Sequence, residues 1–100
     1  MLHHILVKWN TDVDKQAAAK QVRQLYAGAT AISGVDGVVI RENITPRENR
    51  YDLMIVLEMA DEALSIWDES DLHQQWKSEY GAWIAKKCIF DCANAVSYTH

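Results

Sequence analysis

Cross-linking and turn-forming residues are scarce in this sequence, which has two cysteines, one proline and four glycines among 100 residues. Cys88 and Cys92 fall in an apolar segment that we interpret as a strand, where their positions would lie about 13 Å apart. A disulfide requires Cα atoms within roughly 7 Å, so the two cysteines should not pair, and we expect buried thiols. Because they lack closely spaced Cys/His partners, they also make a poor zinc site, and we expect no metal.

Clustered positive charge and long apolar runs are also missing. Ten Lys and Arg residues stand against fourteen Asp and Glu, the net charge is −4, and no basic run exceeds Lys86-Lys87. That balance argues against a nucleic-acid surface. No stretch approaches the roughly 20 apolar residues of a membrane span, and residues 1–5 lack the features of a secretion signal. We therefore expect a cytoplasmic protein that binds neither nucleic acid nor a membrane.

The sequence does contain regular hydrophobic periodicity over a length that suits one domain, 1–100, with a core in 2–92 and a tail at 93–100. Alternating apolar residues indicate strands, and apolar residues three and four apart indicate helices. The predicted strands cover 3–9, 35–42, 51–59 and 87–92, the predicted helices cover about 14–32, 60–68 and 70–84, and 43–50 is a polar loop.

The order β-α-β-β-α-α-β predicts an α+β domain with the ferredoxin-like plan, in which helices cover one face of a four-stranded antiparallel sheet. The third strand is apolar on both faces. Leu53, Ile55 and Leu57 share one face, whereas Met54 and Val56 lie on the other. An exposed apolar sheet face of several hundred Å² is rare in monomers. We therefore predict a homodimer in which two sheets pack face to face.

Several segments of the sequence occur in an order and spacing that is typical of one family. They are His3-His4-Ile5-Leu6-Val7-Lys8-Trp9, Ser33-Gly34-Val35, Glu42-Asn43-Ile44-Thr45-Pro46, Tyr51, Asp71-Leu72-His73-Gln74-Gln75-Trp76 and Ile89-Phe90-Asp91. The chain thus resembles the stress-responsive dimeric α/β-barrel (Dabb) family over about residues 2–92. The resemblance implies a dimeric α+β barrel with a pocket between sheet and helices in each protomer. One plant member of the family is a cofactor-independent polyketide cyclase that closes a ring by aldol chemistry.

Two histidines carry the catalytic part of this resemblance. In the cyclase a catalytic histidine lies in the helix before the last strand, and His73 matches its position. A second pocket histidine lies early in the first strand, and counting back from the shared Lys8 identifies it as His3. A neutral imidazole can take a proton from the carbon beside a carbonyl group and later return it. The resemblance therefore implies His73 as general base and His3 as its partner, while ordinary surface and strand-end histidines are the alternative.

Aromatic residues are the candidates for a ligand pocket, and they are Tyr26, Trp67, Trp76 and Tyr80. Trp67 stands where the cyclase has a tyrosine that supports the catalytic histidine, and an indole can only donate a hydrogen bond. The hydroxyls of Tyr26 and Tyr80 could reach a ligand, although ordinary core packing is the more frequent role of all four residues. Gly34 and Gly37 form no dinucleotide-binding or phosphate-binding motif, so we expect no cofactor.

Three functions agree with these features. The first is a small dimeric stress-response protein that binds a small, largely apolar molecule between sheet and helices. The second is a polyketide cyclase-like or isomerase-like enzyme that uses His73 as base on a carbonyl-containing substrate. The third is a structural oligomer without a ligand. The sequence leaves open whether the protein is an enzyme, and the arrangement of His3 and His73 around a cavity would distinguish the alternatives.

Overall fold

The computed structural model describes residues 1–94, in which four antiparallel strands form one sheet. The strands are β1 (Leu2–Trp9), β2 (Val35–Glu42), β3 (Leu53–Met59) and β4 (Ile84–Cys92), and the helices are α1 (Lys15–Tyr26), α2 (Leu64–Glu69) and α3 (Asp71–Tyr80). The strands lie in the order β2-β3-β1-β4. The predicted ferredoxin-like α+β fold is thus confirmed. No helix within the described range is long and apolar enough to cross a membrane.

Strict alternation along β1 and β3 places the core on one face of the sheet. In both β1 and β3 every second residue is buried. The most deeply buried of these sheet residues are Ile5, Val7, Leu53, Ile55, Leu57 and Met59. Each such side chain contributes about 1.5–3 kcal/mol through its burial. This face is therefore the one that the helices cover.

The first helix begins where the sequence supplies a cap and ends earlier than its apolar stripe predicts. The Asp14 carboxylate accepts a hydrogen bond of 3.1 Å from the Ala17 backbone N–H. The helix ends at Tyr26 rather than at the predicted Ile32. Beyond it, a single 3-10 turn at 29–31 still buries Ala29, because a tighter turn keeps that residue against the core.

The last helix and strand also meet at a different point from the one predicted. The helix α3 ends at Tyr80, a 3-10 turn follows at 81–83, and β4 begins at Ile84 rather than at Lys87. The cause is pairing with β1, because Ile84 lies opposite Trp9 across a register irregularity. Residues 70–84 therefore form a helix, a turn and the first residue of a strand.

Asp52 holds the start of β3 against the end of β1. Its carboxylate accepts a hydrogen bond of 2.8 Å from the Trp9 backbone N–H and lies 3.0 Å from the Lys15 Nζ. These contacts turn the chain at Asp52, so the regular strand begins at Leu53 rather than at the predicted Tyr51.

The second face of the sheet, which we call the open face, is not covered by any of the helices in residues 1–94. Its apolar members are Leu2, Leu6, Val39, Met54, Val56 and Phe90. Phe90 is 60% exposed and Val39 is 43% exposed.

The two cysteines also lie on the open face, on the edge strand β4 opposite Leu6 and Leu2. Cys88 is exposed, Cys92 is half-buried, and both are free thiols. The prediction of buried thiols is therefore wrong for the single chain, because none of the helices in the described range covers this side of β4. Most of the predicted tail, 95–100, lies outside the described residues.

We predict that Gly34 tolerates no side chain, whereas Gly81 does. Gly34 has a φ of 85° and a Cβ there would lie 2.7 Å from the Ala63 Cβ. Gly34→Ala should lower the free energy of unfolding by about 1–3 kcal/mol. Gly81→Ala, at a helical φ of −56° with no atom within 4 Å of the added methyl, should be neutral or stabilise by up to about 1 kcal/mol. Urea unfolding at one protein concentration measures both, and equal values would contradict the prediction.

Candidate functional site

Rings from all three helices contact one another in a continuous series, which we call the aromatic row. In order, it consists of Trp83, Tyr80, Trp76, Tyr26, Trp67 and His73, with consecutive ring centroids 5.1–5.7 Å apart. Trp9 of β1 meets Trp76 edge-on at 6.4 Å, so the row reaches the sheet. The row brings together His73 and the four predicted pocket residues.

The centre of the aromatic row contains two polar atoms without a partner. Tyr26 and Trp67 are fully buried with ring centroids 5.7 Å apart. Within residues 1–94, the Tyr26 Oη and the Trp67 Nε1 have no hydrogen-bond partner. Burial raises the pKa of the Tyr26 hydroxyl far above its usual range, so the hydroxyl keeps its proton. Leaving such groups unsatisfied costs about 1–3 kcal/mol each, and native proteins usually satisfy them. Two unpartnered donors on neighbouring rings of an apolar interior suit acceptor atoms of a bound molecule.

His73 lies at the end of the aromatic row with one ring nitrogen fixed. The ring is half-buried and packs on Trp67 with centroids 5.1 Å apart, and the Nδ1 lies 2.9 Å from the Asp68 carbonyl oxygen. A carbonyl oxygen only accepts, so the Nδ1 carries the hydrogen and donates it. In neutral His73 the Nε2 then has a free lone pair. This nitrogen is the atom that could take a proton from a substrate.

Tertiary structure gives His3 a carboxylate partner that the sequence analysis did not assign. His3 is 6% exposed, and its Nδ1 lies 2.5 Å from the Asp91 Oδ1. The two residues are direct neighbours in the antiparallel pairing of β1 with β4. A carboxylate on the Nδ1 holds the ring in the orientation that leaves the Nε2 as the other reactive atom. The sequence places His3 and Asp91 on two predicted strands. Only the register between β1 and β4 shows that the two side chains are neighbours.

The predicted site residues therefore fall into two groups. His73 and the predicted pocket residues share the aromatic row, whereas the hydrogen-bond partner of His3 is Asp91. No ring contact or hydrogen bond within the described part of the chain joins His3 to His73. The same part contains no group of three or more His, Cys, Asp or Glu side chains that could hold a metal ion.

Tyr80 is the predicted pocket residue that also reaches the surface. It lines a pocket of about 600 Å³ between α1 and α3, whose other lining residues are Gln21, Gln24, Leu25, Gly28 and Gln75. Its hydroxyl donates a hydrogen bond of 3.4 Å to the Gln21 Oε1. Burial, and then the Glu79 carboxylate, raise the pKa of Tyr80 above its usual range, so this hydroxyl is a donor rather than a base.

Fold and interior together define a ferredoxin-like α+β protein with an aromatic layer between sheet and helices. No protein-family model matches the sequence, and no curated protein matches it. Solved structures do share the fold. One is a dimeric ferredoxin-like protein of unknown function from Thermobifida fusca, with 15% identity, a TM-score of 0.76, and coverage of 89% of this chain and 85% of that chain.

Two further solved structures carry more specific names. A Dabb family protein with a ferredoxin-like fold from Mesorhizobium loti has 15% identity and a TM-score of 0.69, covering 95% of this chain and 96% of that chain. The hydroxynitrile lyase from Passiflora edulis has 9% identity and a TM-score of 0.77, covering 98% of this chain and 95% of that chain. At these identities the likeness establishes the fold, and function has to be argued from the site.

We predict that neutral His73 is protonated on Nδ1 and not on Nε2, because the Asp68 carbonyl oxygen accepts from Nδ1. Long-range ¹H–¹⁵N correlation spectra above the imidazole titration should show a protonated Nδ1 and an unprotonated Nε2. A His73→Gln variant assigns the signals by their loss. A neutral form with the hydrogen on Nε2 would show that the Asp68 contact does not fix the ring.

Proposed function

We propose that the chain is a member of the Dabb family and acts as a homodimer that binds a small, largely apolar molecule between sheet and helices. The observation that carries this proposal is the pair of buried and unpartnered donors on two neighbouring rings, the Tyr26 Oη and the Trp67 Nε1. Core packing alone favours apolar or satisfied groups at such positions.

The surroundings of the two donors indicate the chemistry of the ligand. The neighbouring rings, Trp76 and His73, offer flat apolar contact to an aromatic or aliphatic body. The donors suit a ligand acceptor such as a carbonyl oxygen. We therefore infer a ligand that combines an apolar skeleton with a carbonyl or similar oxygen.

Entry to this interior requires movement of α2. The helix spans 64–69 and its one buried residue is Trp67 itself. A short helix with one fully buried side chain opens locally at lower free energy than the central strands. A ligand beside Trp67 would replace the contacts that α2 loses, so opening and binding would be coupled.

The open face supports the homodimer. Its apolar residues would be covered by a second copy, and twofold symmetry brings each patch onto itself. Arg41 and Glu58 also lie on this face, and within residues 1–94 neither forms an ion pair. In an isologous interface Arg41 of one copy can pair with Glu58 of the other, twice. A structural neighbour that is itself dimeric supports the same assembly.

A matched pair of ligands tests the binding proposal. We expect 2-acetylnaphthalene, an aromatic ketone, to bind about 3- to 10-fold more tightly than 2-isopropenylnaphthalene, in which a methylene group replaces the ketone oxygen and removes the acceptor. Trp67→Phe and Tyr26→Phe keep the rings and remove one donor each, and each should reduce this preference. Isothermal titration calorimetry measures the affinities.

The control for this experiment is Trp83→Phe, at the far end of the aromatic row, which should keep the full preference for the ketone. Equal affinity of the unmodified protein for the two ligands would reject the donor pair as a binding element. If neither ligand binds, the structural oligomer becomes the better description.

The second candidate is a cofactor-independent enzyme of the cyclase or isomerase type. Two observations favour it: the His73 Nδ1 lies 2.9 Å from the Asp68 carbonyl oxygen, which leaves the Nε2 of the neutral ring as the acceptor, and His3 has a carboxylate partner in Asp91. The His73 Nε2 would take a proton from the carbon beside a carbonyl group, and the electron pair would move onto the carbonyl oxygen. The donors of Tyr26 and Trp67 would stabilise the resulting enolate. A lyase with this fold shows that the architecture can house catalysis.

We expect any turnover of diketide or triketide substrates to depend on His73. His73→Ala should lower kcat by about 100- to 10,000-fold, as removal of a general base does. Asp91→Asn should give a smaller loss and shift the pH profile of kcat/KM, because Asp91 acts by positioning His3. Product formation followed by liquid chromatography measures both. Equal turnover by the unmodified protein and His73→Ala would reject the assignment.

A further inference from the structure

We propose that His4 makes the face-to-face dimer sensitive to pH, so that protonation of His4 dissociates it. The inference rests on the homodimer proposed above. It concerns a residue on the opposite face of β1 from His3, and no role of His4 in ligand binding or proton transfer is involved.

The strand register places His4 within the apolar part of the open face. His4 lies opposite Val56 of β3 on one side and opposite Phe90 of β4 on the other, and Val56 in turn lies opposite Val39 of β2. These four residues form a row that crosses the whole sheet. The other three members are apolar, and His4 lies between them. A second copy that covers the apolar residues must therefore also cover the imidazole.

The contacts of His4 suit the neutral ring and not the charged one. Its Nδ1 lies 3.1 Å from the Phe90 carbonyl oxygen, and its ring meets the Phe90 ring at 5.8 Å. The carbonyl accepts, so the Nδ1 donates, and the neutral Nε2 has no hydrogen of its own. Protonation adds a second N–H and a full charge. In a covered, apolar interface that charge loses water without gaining a partner from its own chain.

The charged and titratable groups on the four strands of the open face do not neutralise this charge. They are Lys8 on β1, Arg41 on β2, Glu58 on β3, and Lys86, Cys88 and Cys92 on β4. Lys8 and Arg41 repel a charged His4. Glu58 is the acid, and it sits diagonally across from His4, where such positions are separated by roughly 7–8 Å. No carboxylate within residues 1–94 lies at ion-pair distance from His4.

Adjacent histidines in β1 thus differ in their response to acid. A charged His3 has the Asp91 carboxylate on its Nδ1. A charged His4 has only the Phe90 carbonyl oxygen within its own chain. Symmetry doubles the effect, because each dimer carries two copies of His4. We therefore expect the dimer to be stable at mildly alkaline pH and to weaken as the pH falls through the range in which imidazoles titrate.

Sedimentation velocity at micromolar concentration, at pH 8 and at pH 5.5, tests the inference. The unmodified protein should sediment as a dimer of the 11.4 kDa chain at pH 8. Its dimer Kd should rise by at least about tenfold at pH 5.5. His4→Leu should remain dimeric with the same Kd at both values. His4→Lys, which is charged throughout, should dissociate already at pH 8. His73→Gln, which changes a histidine outside the open face, should keep the response of the unmodified protein.

Each failure has a different meaning. A monomer at pH 8 for the unmodified protein would reject the homodimer itself. A dimer whose Kd is equal at the two pH values, or a His4→Leu variant that still dissociates in acid, would overturn the role of His4 and leave the dimer in place. Circular dichroism at both pH values confirms that each variant is folded. Should His4→Leu fail to fold, His4→Phe provides the same neutral replacement.

Discussion

The antiparallel pairing of β1 with its two neighbours is the interaction on which the rest of the structure depends. β1 lies inside the sheet, between β3 and β4, so its alternation decides which side chains meet the helices and which meet the open face. A slip of one residue would exchange His3 for His4 and move Ile5 and Val7 out of the core. The same register places Asp91 beside His3 and Phe90 beside His4. The backbone hydrogen bonds of β1 thus determine which side chains are neighbours on each face of the sheet.

The helices pack on this sheet, and they add a series of contacts between aromatic rings. Each helix contributes aromatic rings to a single row, and Trp9 connects the row to β1. Such an interior is stable because ring contacts and burial act together, each pair adding about 0.5–1.5 kcal/mol. It also has a local weakness. The Tyr26 Oη and the Trp67 Nε1 are the polar atoms that this packing does not satisfy within residues 1–94. We propose that a ligand binds at these two unsatisfied polar atoms.

Much of the fold could be predicted from the sequence, and the errors share one cause. The alternation from Leu53 to Met59 and the helical stripe around Ala18 and Val22 are local periodicities, so the elements and their order could be inferred. The end of α1 at Tyr26 and the start of β4 at Ile84 depend on contacts with residues distant in sequence. Exposure of the cysteines on β4 has the same origin. The hydrophobic pattern within one edge strand cannot show which face of that strand the helices cover.

The sequence by itself determined the α+β class, the ferredoxin-like order of elements and a third strand that is apolar on both faces, because each follows from spacing along the chain. Resemblance to a family added His73, His3 and the pocket aromatics as candidates, without their geometry. Only the tertiary structure decided that His3 pairs with Asp91, that His73 joins the aromatic row, and that His4 lies among apolar neighbours. These are contacts between elements, and they exist only once the strand register and the helix packing bring distant residues together.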